Sequence, residues 1–239
     1  MSGDAERLAE KKARENREAN LVANRIRELY LSPVAGVFDL AHLKAVHAHL
    51  FQDLPEHRPG VVRADSDGWN KARSLEGSGP SYVVRYAHEG VEAKLDTILK
   101  NFGGPDALHG LSLHDAAKRL ARLYGDLDHA HGFYEGNSRT LREVTRELAE
   151  AAGYVLDWTR SGVGTDARNA LYVARDVEVF ERAYPGLTSE RAMATEDRAE
   201  YEAWWHLEKL KAIRGENTLE QIIARSLSSA SRYRNENQT

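Results

Sequence analysis

His131, Glu135, Arg139 and Arg142 all fall within the stretch HGFYEGNSRTLR, which lies between two segments rich in helix formers. A turn joining two helices needs a Gly-Asn pair and little else. The additional groups are those that handle a phosphate. Arg139 and Arg142 are three apart, so a helix starting here carries both guanidinium groups on one face, and arginine suits bidentate phosphate contacts. Gly132 and Gly136 allow positive φ and Asn137 tolerates it. The turn can therefore aim successive N–H groups into one anion-binding concavity. The helix that follows adds its positive end, roughly half an elementary charge, at the same spot. Glu135 offers the hard oxygen that Mg²⁺ prefers beside phosphates. His131 is the one group here whose ordinary pKa suits a general base near neutral pH. These parts describe phosphoryl or nucleotidyl transfer, in which positioning and charge stabilisation do most of the catalysis.

Each residue alone has a plainer explanation: a helix-terminal histidine, a solvated glutamate, a Gly-Asn turn, an N-cap by Asn137 or Ser138, a charged helix face. Only the joint spacing outweighs them. A rival use of neighbouring residues is a hydrolytic zinc or manganese site built from Asp126, Asp128, His129 and His131. Against it, Asp126 and Asp128 fall on opposite sides of the predicted helix.

The elements that must position these groups are mostly helical. Six prolines in 239 residues and long runs of good helix formers predict an all-α class. Residues 4–30 are highly charged and read as an exposed helix; Ser32, Pro33 and Gly36 end it. A second helix follows from Asp39 with Leu40, Leu43, Val46, Leu50 and Phe51 on one stripe. Residues 55–80 carry Pro55, Pro59, Gly60, Gly68, Gly77, Gly79 and Pro80, which forbid regular helix. There GVVRA (60–64) and SYVVRY (81–86) are the strand signals. Helix returns at 88–101, and again after Ser112, which forms a capping box with Asp115. That helix leads into the phosphate-handling stretch, and a new one runs on to Gly153. The tract 165–182 reads as helix, as do 189–213 and 218–229, the last with a Thr218/Gln221 capping box. The predicted organisation is a charged helix and connection at 1–36, a core domain at 37–186 and a helical extension at 187–239.

Composition narrows the class further. Thirty-three basic against 37 acidic side chains give a net charge of −4, which argues against general nucleic-acid binding. The absence of cysteine excludes disulfides, thiolate metal sites and cysteine nucleophiles. No stretch approaches the roughly 20 apolar residues of a membrane span, and the N-terminus lacks the apolar core of a signal peptide. The expectation is a soluble, cytoplasmic protein.

HGFYEGNSRTLR closely resembles the Fic motif, H-P-F-x-[D/E]-G-N-G-R-x-x-R. His131, Phe133, Glu135, Gly136, Asn137, Arg139 and Arg142 agree, and the resemblance extends more weakly over 37–180. It implies a helical bundle with a β-hairpin flap over the site, within 73–86, and transfer of AMP from ATP to a protein hydroxyl. His131 would deprotonate that hydroxyl, Phe133 would anchor the loop and Glu135 would hold Mg²⁺. Gly136, Asn137 and Ser138 would line the anion hole, with Arg139 and Arg142 on the β- and γ-phosphates. The flap would clamp the target's main chain as an added strand. Gly132 replaces the motif's proline and Ser138 its second glycine. The related Doc toxins carry lysine at the latter position and phosphorylate their targets instead, so a γ-phosphate kinase is one alternative. A catalytically silent scaffold is another. Fic proteins are usually restrained by a helix of pattern [S/T]-x-x-x-E-[G/N], whose glutamate pairs with the residue matching Arg142. No such pattern occurs in this chain; Ser2 to Glu6, followed by Arg7, comes nearest. The resemblance thus implies a toxin for which either a small antitoxin supplies the helix or regulation works differently, with type II topoisomerases (DNA gyrase or topoisomerase IV) as candidate targets.

Overall fold

Ser112 starts the helix that leads to the site: its side-chain oxygen accepts the Asp115 N–H at 3.1 Å, one of the orphan donors every helix N-terminus must satisfy. In the computed structural model, which describes residues 2–75, 81–162 and 164–230, this helix is α4 (Leu113–Ala130). The others are α1 (Ser2–Leu31), α2 (Leu40–Phe51), α3 (Val91–Phe102), α5 (Asn137–Ala151), α6 (Gly164–Ala183), α7 (Ser189–Ala194), α8 (Arg198–Arg214) and α9 (Leu219–Ser226). The fold is a mostly helical bundle with a small hairpin, as the sequence predicts.

One apolar core surrounds α4. Its Leu120, Leu123, Tyr124 and Leu127 pack with Leu43, Val46 and Leu50 of α2, Leu95 and Leu99 of α3, Leu141, Val144 and Leu148 of α5, and Ile222 and Ile223 of α9. Burying each such side chain contributes about 1.5–3 kcal/mol, enough together to hold the α4–α5 connection at a defined place. A second cluster seats the antiparallel hairpin of β1 (Trp69–Ser74) and β2 (Ser81–Tyr86). Tyr82, Val84 and Tyr86 pack there on Val173, Val177 and Phe180 of α6 and on Leu207 and Leu210 of α8. The register pairs Lys71 with Val84 and Arg73 with Tyr82. Because side chains alternate along a strand, Lys71 and Arg73 share the inward face with that apolar row.

The strand prediction is half right. SYVVRY is β2, but its partner is WNKARS (69–74), and GVVRA is irregular chain. The reason is visible at Arg63: its N–H and side chain bond carbonyls of the α4–α5 connection and of Ala87, not a strand. The turn of the hairpin, 76–80, lies outside the described residues. The single helix expected over 189–213 is two. Asp197 takes the Ala199 N–H at 2.8 Å and starts α8 afresh. A short antiparallel pair, β3 (Tyr154–Leu156) with β4 (Leu227–Ser229), had no sequence signal strong enough to read.

Candidate active site

The site is built where α4 stops. His131 takes the left-handed conformation (φ 48°), and its N–H reaches back to the Leu127 carbonyl at 3.0 Å, the usual way to close a helix C-terminus. A non-glycine residue held there costs about 1 kcal/mol, so neighbours must over-determine it. Arg63 does so from a fully buried position. Its Nε donates to the His131 carbonyl at 2.6 Å and its Nη2 to the Ala130 carbonyl at 3.1 Å, while its own N–H donates to the Gly132 carbonyl at 2.9 Å. A cation at the negative end of α4 is favourable in its own right.

The rest of the connection is tied to itself and to α2. The Phe133 N–H donates to Asn137 Oδ1 at 2.9 Å, and Asn137 Nδ2 donates to the Phe133 carbonyl at 2.7 Å. His47 stacks on the Phe133 ring, centroids 3.8 Å apart. Its Nδ1 accepts the Gly60 N–H at 2.9 Å, which leaves the proton on Nε2 to donate to the Glu135 carbonyl at 3.1 Å. Burial pushes the His47 pKa down to about 4, so the ring stays neutral as this pairing requires. Gly136 has φ 81°, and a Cβ there would lie 2.2 Å from the Phe51 ring. It is also the N-cap of α5 and supplies no side chain to cap it. The first-turn N–H groups of α5 therefore border the cavity uncapped, as an anion site requires.

That cavity, of about 290 Å³, is walled by five cations, Lys71, Arg73, Arg139, Arg142 and Arg175, together with His131, Glu135 and the 136–138 turn. So many positive groups around one concavity fit a polyphosphate. His131 is only 2% exposed and lies beneath the Tyr86 ring, centroids 3.8 Å apart. Neither ring nitrogen has a hydrogen-bond partner among the described residues. Burial first, then the charges of Lys71, Arg73, Arg175 and Arg63, hold its pKa well below the ordinary histidine value. It is a neutral imidazole with a free lone pair, the form a base needs. Glu135 is the most exposed of the group and pairs with Lys71 Nζ at 3.2 Å. One carboxylate beside a phosphate site fits Mg²⁺, which takes one or two protein oxygens and completes its shell with phosphate and water. The rival hydrolytic centre does not form. Asp128 is clasped at both oxygens by Arg175, Asp126 is held by Arg182 at 2.7 Å, and no cluster of three ligating side chains occurs among the described residues.

The motif arginines are not equivalent. Arg139 lies over the Phe51 ring and bonds Glu18 of α1 at 2.6 Å. Although burial works to raise the Glu18 pKa, its hydrogen bond with Arg139 brings it below the usual carboxylate value. The Arg142 Nε is buried without a partner among the described residues. Ser138 is bonded from the far wall: its hydroxyl accepts Arg175 Nη1 at 2.9 Å.

Residues 37–149 match the model of the Fic/DOC family. These residues are a Fic domain. Over 137 residues the chain is 31% identical to the protein adenylyltransferase VbhT of Bartonella schoenbuchensis; the match takes in 56% of this chain and 25% of that protein, so the chain spans about a quarter of that relative's length. In fold it is similar to the N-terminal Fic domain of a VirB-translocated Bep effector of Bartonella quintana with bound ADP, at TM-score 0.56 and 22% identity over 90% of this chain and 85% of that one. It is also similar to BepC of Bartonella tribocorum with bound AMPPNP, at TM-score 0.55 and 18% identity over 90% and 86%.

The Fic domain brings all seven named site residues to one cavity. The Asn137 side chain also closes the loop through its two bonds to the Phe133 backbone. Both departures from the motif acquire a local reason. A Cβ at Gly132 would come within 2.5 Å of a Leu95 methyl, so Leu95 fills space a larger residue would need. Ser138 has a partner in Arg175. Sequence reasoning missed His47, Arg63, Lys71, Arg73, Arg175 and Glu18, and gave Asp128 only the role of a metal ligand. A buried arginine or histidine far along the chain leaves no spacing signal. Glu18 fits no inhibitory pattern, yet its carboxylate is on a site arginine. No helix among the described residues is long and apolar enough to cross a membrane.

Proposed function

We propose that this Fic domain transfers AMP from ATP to a hydroxyl side chain, Tyr, Ser or Thr, of a target protein. The carrying observation is His131: a neutral imidazole with no hydrogen-bond partner among the described residues, at the wall of a cavity lined by cations and the start of α5. In the step, the target oxygen attacks the α-phosphorus while a ring nitrogen of His131 takes the hydroxyl proton. The bond from that phosphorus to the bridging oxygen breaks, and pyrophosphate leaves. A positioned base of this kind contributes typically 10²–10⁴-fold. The α5 amides and Ser138 face the transferred phosphoryl group, with Arg139 and Arg142 on the β- and γ-phosphates. Glu135 would hold Mg²⁺, which supplies charge neutralisation on the phosphates when bound, after Lys71 has let go of the carboxylate. VbhT is named for the same activity, which supports the reading.

The partners follow from the same reading. The target is a protein, with DNA gyrase or topoisomerase IV as candidates for a toxin of this type. A small antitoxin would bring a helix whose glutamate reaches Arg142, and the unpartnered Arg142 Nε supports that assignment. The protein would act in the cytoplasm, where ATP and these targets are found.

The test is incubation with a bacterial lysate, Mg²⁺ and ATP labelled at the α- or the γ-phosphate, with His131→Ala as control. Label from the α-position alone, lost in the variant, is the expected result. Label from the γ-position alone would make the protein a Doc-like kinase. Failure to bind ATP under any condition would point to a silent scaffold.

A further inference from the structure

Two buried polar groups outside the motif's assigned roles, Asp128 and Arg175, form a chain with Ser138 behind the site. Asp128 is fully buried one turn before His131 on α4, and its Oδ1 lies 3.9 Å from His131 Nδ1. Arg175, 1% exposed on α6, donates from Nε to Asp128 Oδ2 at 3.0 Å and from Nη2 to Oδ1 at 2.8 Å. Its third nitrogen, Nη1, donates to the Ser138 hydroxyl on α5. The guanidinium is thus bonded at all three nitrogens, and it ties the last turn of α4 to the first turn of α5. These two turns carry the base and the anion hole.

A carboxylate oxygen has two lone-pair directions, so Oδ1 can accept a second proton beside the one from Arg175. The donor in reach is His131 Nδ1, and a shift of under about 1 Å closes the contact to hydrogen-bond length. Catalytic hydrogen bonds are commonly long before the substrate complex forms. The opposite tautomer would leave Nδ1 with a lone pair facing a carboxylate, and its Nε2 proton in a cavity that Lys71 and Arg73 already make positive. We propose that Asp128 is a positioning residue for His131: it selects the tautomer protonated at Nδ1, which leaves Nε2 to accept the target's proton, and Arg175 with Ser138 holds that carboxylate in register with the phosphate site. This is the orienting role of a third group behind a base. It explains why serine stands where the motif has glycine: the hydroxyl anchors Arg175, and Arg175 anchors Asp128. The proposal rests on the reading of His131 as proton acceptor, but its first test does not depend on transfer activity.

That test is the tautomer itself, read in ¹⁵N-histidine-labelled wild-type protein by long-range ¹H–¹⁵N correlation at neutral pH, with His131→Gln identifying the resonance. The expected signature is a protonated Nδ1 and a bare Nε2. A protonated Nε2 in the wild type would overturn the proposal whatever the enzyme does. In Asp128→Asn the preference should weaken or invert, kcat for α-label transfer should fall roughly 10²-fold, and the ATP dissociation constant by calorimetry should stay within about threefold. An unchanged tautomer or unchanged kcat in that variant would equally refute it. Should Asp128→Asn not fold, Arg175→Lys replaces it. It keeps the charge but cannot clasp both carboxylate oxygens, so the same changes are expected at smaller size, and their absence counts against the proposal. If the wild type transfers no AMP at all, the functional reading fails, while the tautomer still decides this one.

Discussion

Two of the carboxylate–arginine pairs at the cavity are built in opposite ways. On the α1 side, Glu18 holds Arg139 with both side chains about a quarter exposed. On the α6 side, Asp128 and Arg175 are sealed from water and joined by two hydrogen bonds. The first pair costs little desolvation and sits where a phosphate would have to bind Arg139, so a ligand can exchange for the carboxylate. The second has no exchange partner. Taking one member away leaves an uncompensated charge in the interior. On the proposed function, one pair is therefore a contact a nucleotide would displace, and the other is scaffold already formed.

The largest effect that would break this comparison is on the buried side. Arg175→Met strands the Asp128 carboxylate and is expected to lower unfolding stability by about 3–5 kcal/mol, whereas pairing it with Asp128→Leu should restore most of the loss. The urea midpoints of the three proteins check this, and a single variant as stable as wild type would show that the pair is not scaffold.

Acid strikes the other side. His47 beneath the loop has a folded pKa of about 4 against an ordinary value near 6.5. The unfolded chain therefore binds the proton first, and stability rises with pH across that window. The full contribution is present above pH 6.5 and is lost as the pH falls towards 4, amounting to about 3 kcal/mol. Denaturant midpoints from pH 7 to 4 test it, with His47→Gln expected to make the curve less steep, since His131 and His129, whose pKa values burial also lowers, keep their shares. Glu18, whose folded pKa is lowered, contributes in the same direction: its share is present above the ordinary carboxylate value and lost as pH falls through its folded pKa.

The smallest effect sharpens the contrast most. Glu18→Gln should change stability by no more than about 1 kcal/mol, yet ATP affinity by calorimetry should rise about fivefold, equivalent to ~1 kcal/mol, because the phosphate no longer competes with a carboxylate for Arg139. A variant with unaltered affinity would make Glu18 a bystander.

The comparison also separates what was legible in the chain. Glycine at 136, the aligned Arg139 and Arg142, and the helix start after them follow from local rules of φ, helix spacing and capping. Each therefore stands where the sequence reading puts it. The N-caps read at Ser112 and Thr218 hold for the same reason, each side-chain oxygen accepting the N–H three residues on. The hairpin was only half visible: SYVVRY alternates enough to read as strand, but WNKARS carries two cations on its inner face and looks like surface. Those cations, Lys71 and Arg73, face in because the cavity, and not the core, receives them.

The sequence alone therefore determined the helical class, the turn and helix start within 131–142 and the chemistry their residue types can perform, because these rest on contacts a few residues apart. Only the tertiary structure decided the state of that chemistry. It brought Arg63 from 68 positions away to the His131 carbonyl, His47 from 88 away to the Glu135 carbonyl, and Arg175 from 47 away to Asp128. Burial and charge at that distance set the pKa of His131, and a long-range ion pair decides whether Arg139 is free. Desolvation and pairing depend on what the whole chain packs around a group, and no local spacing carries that information.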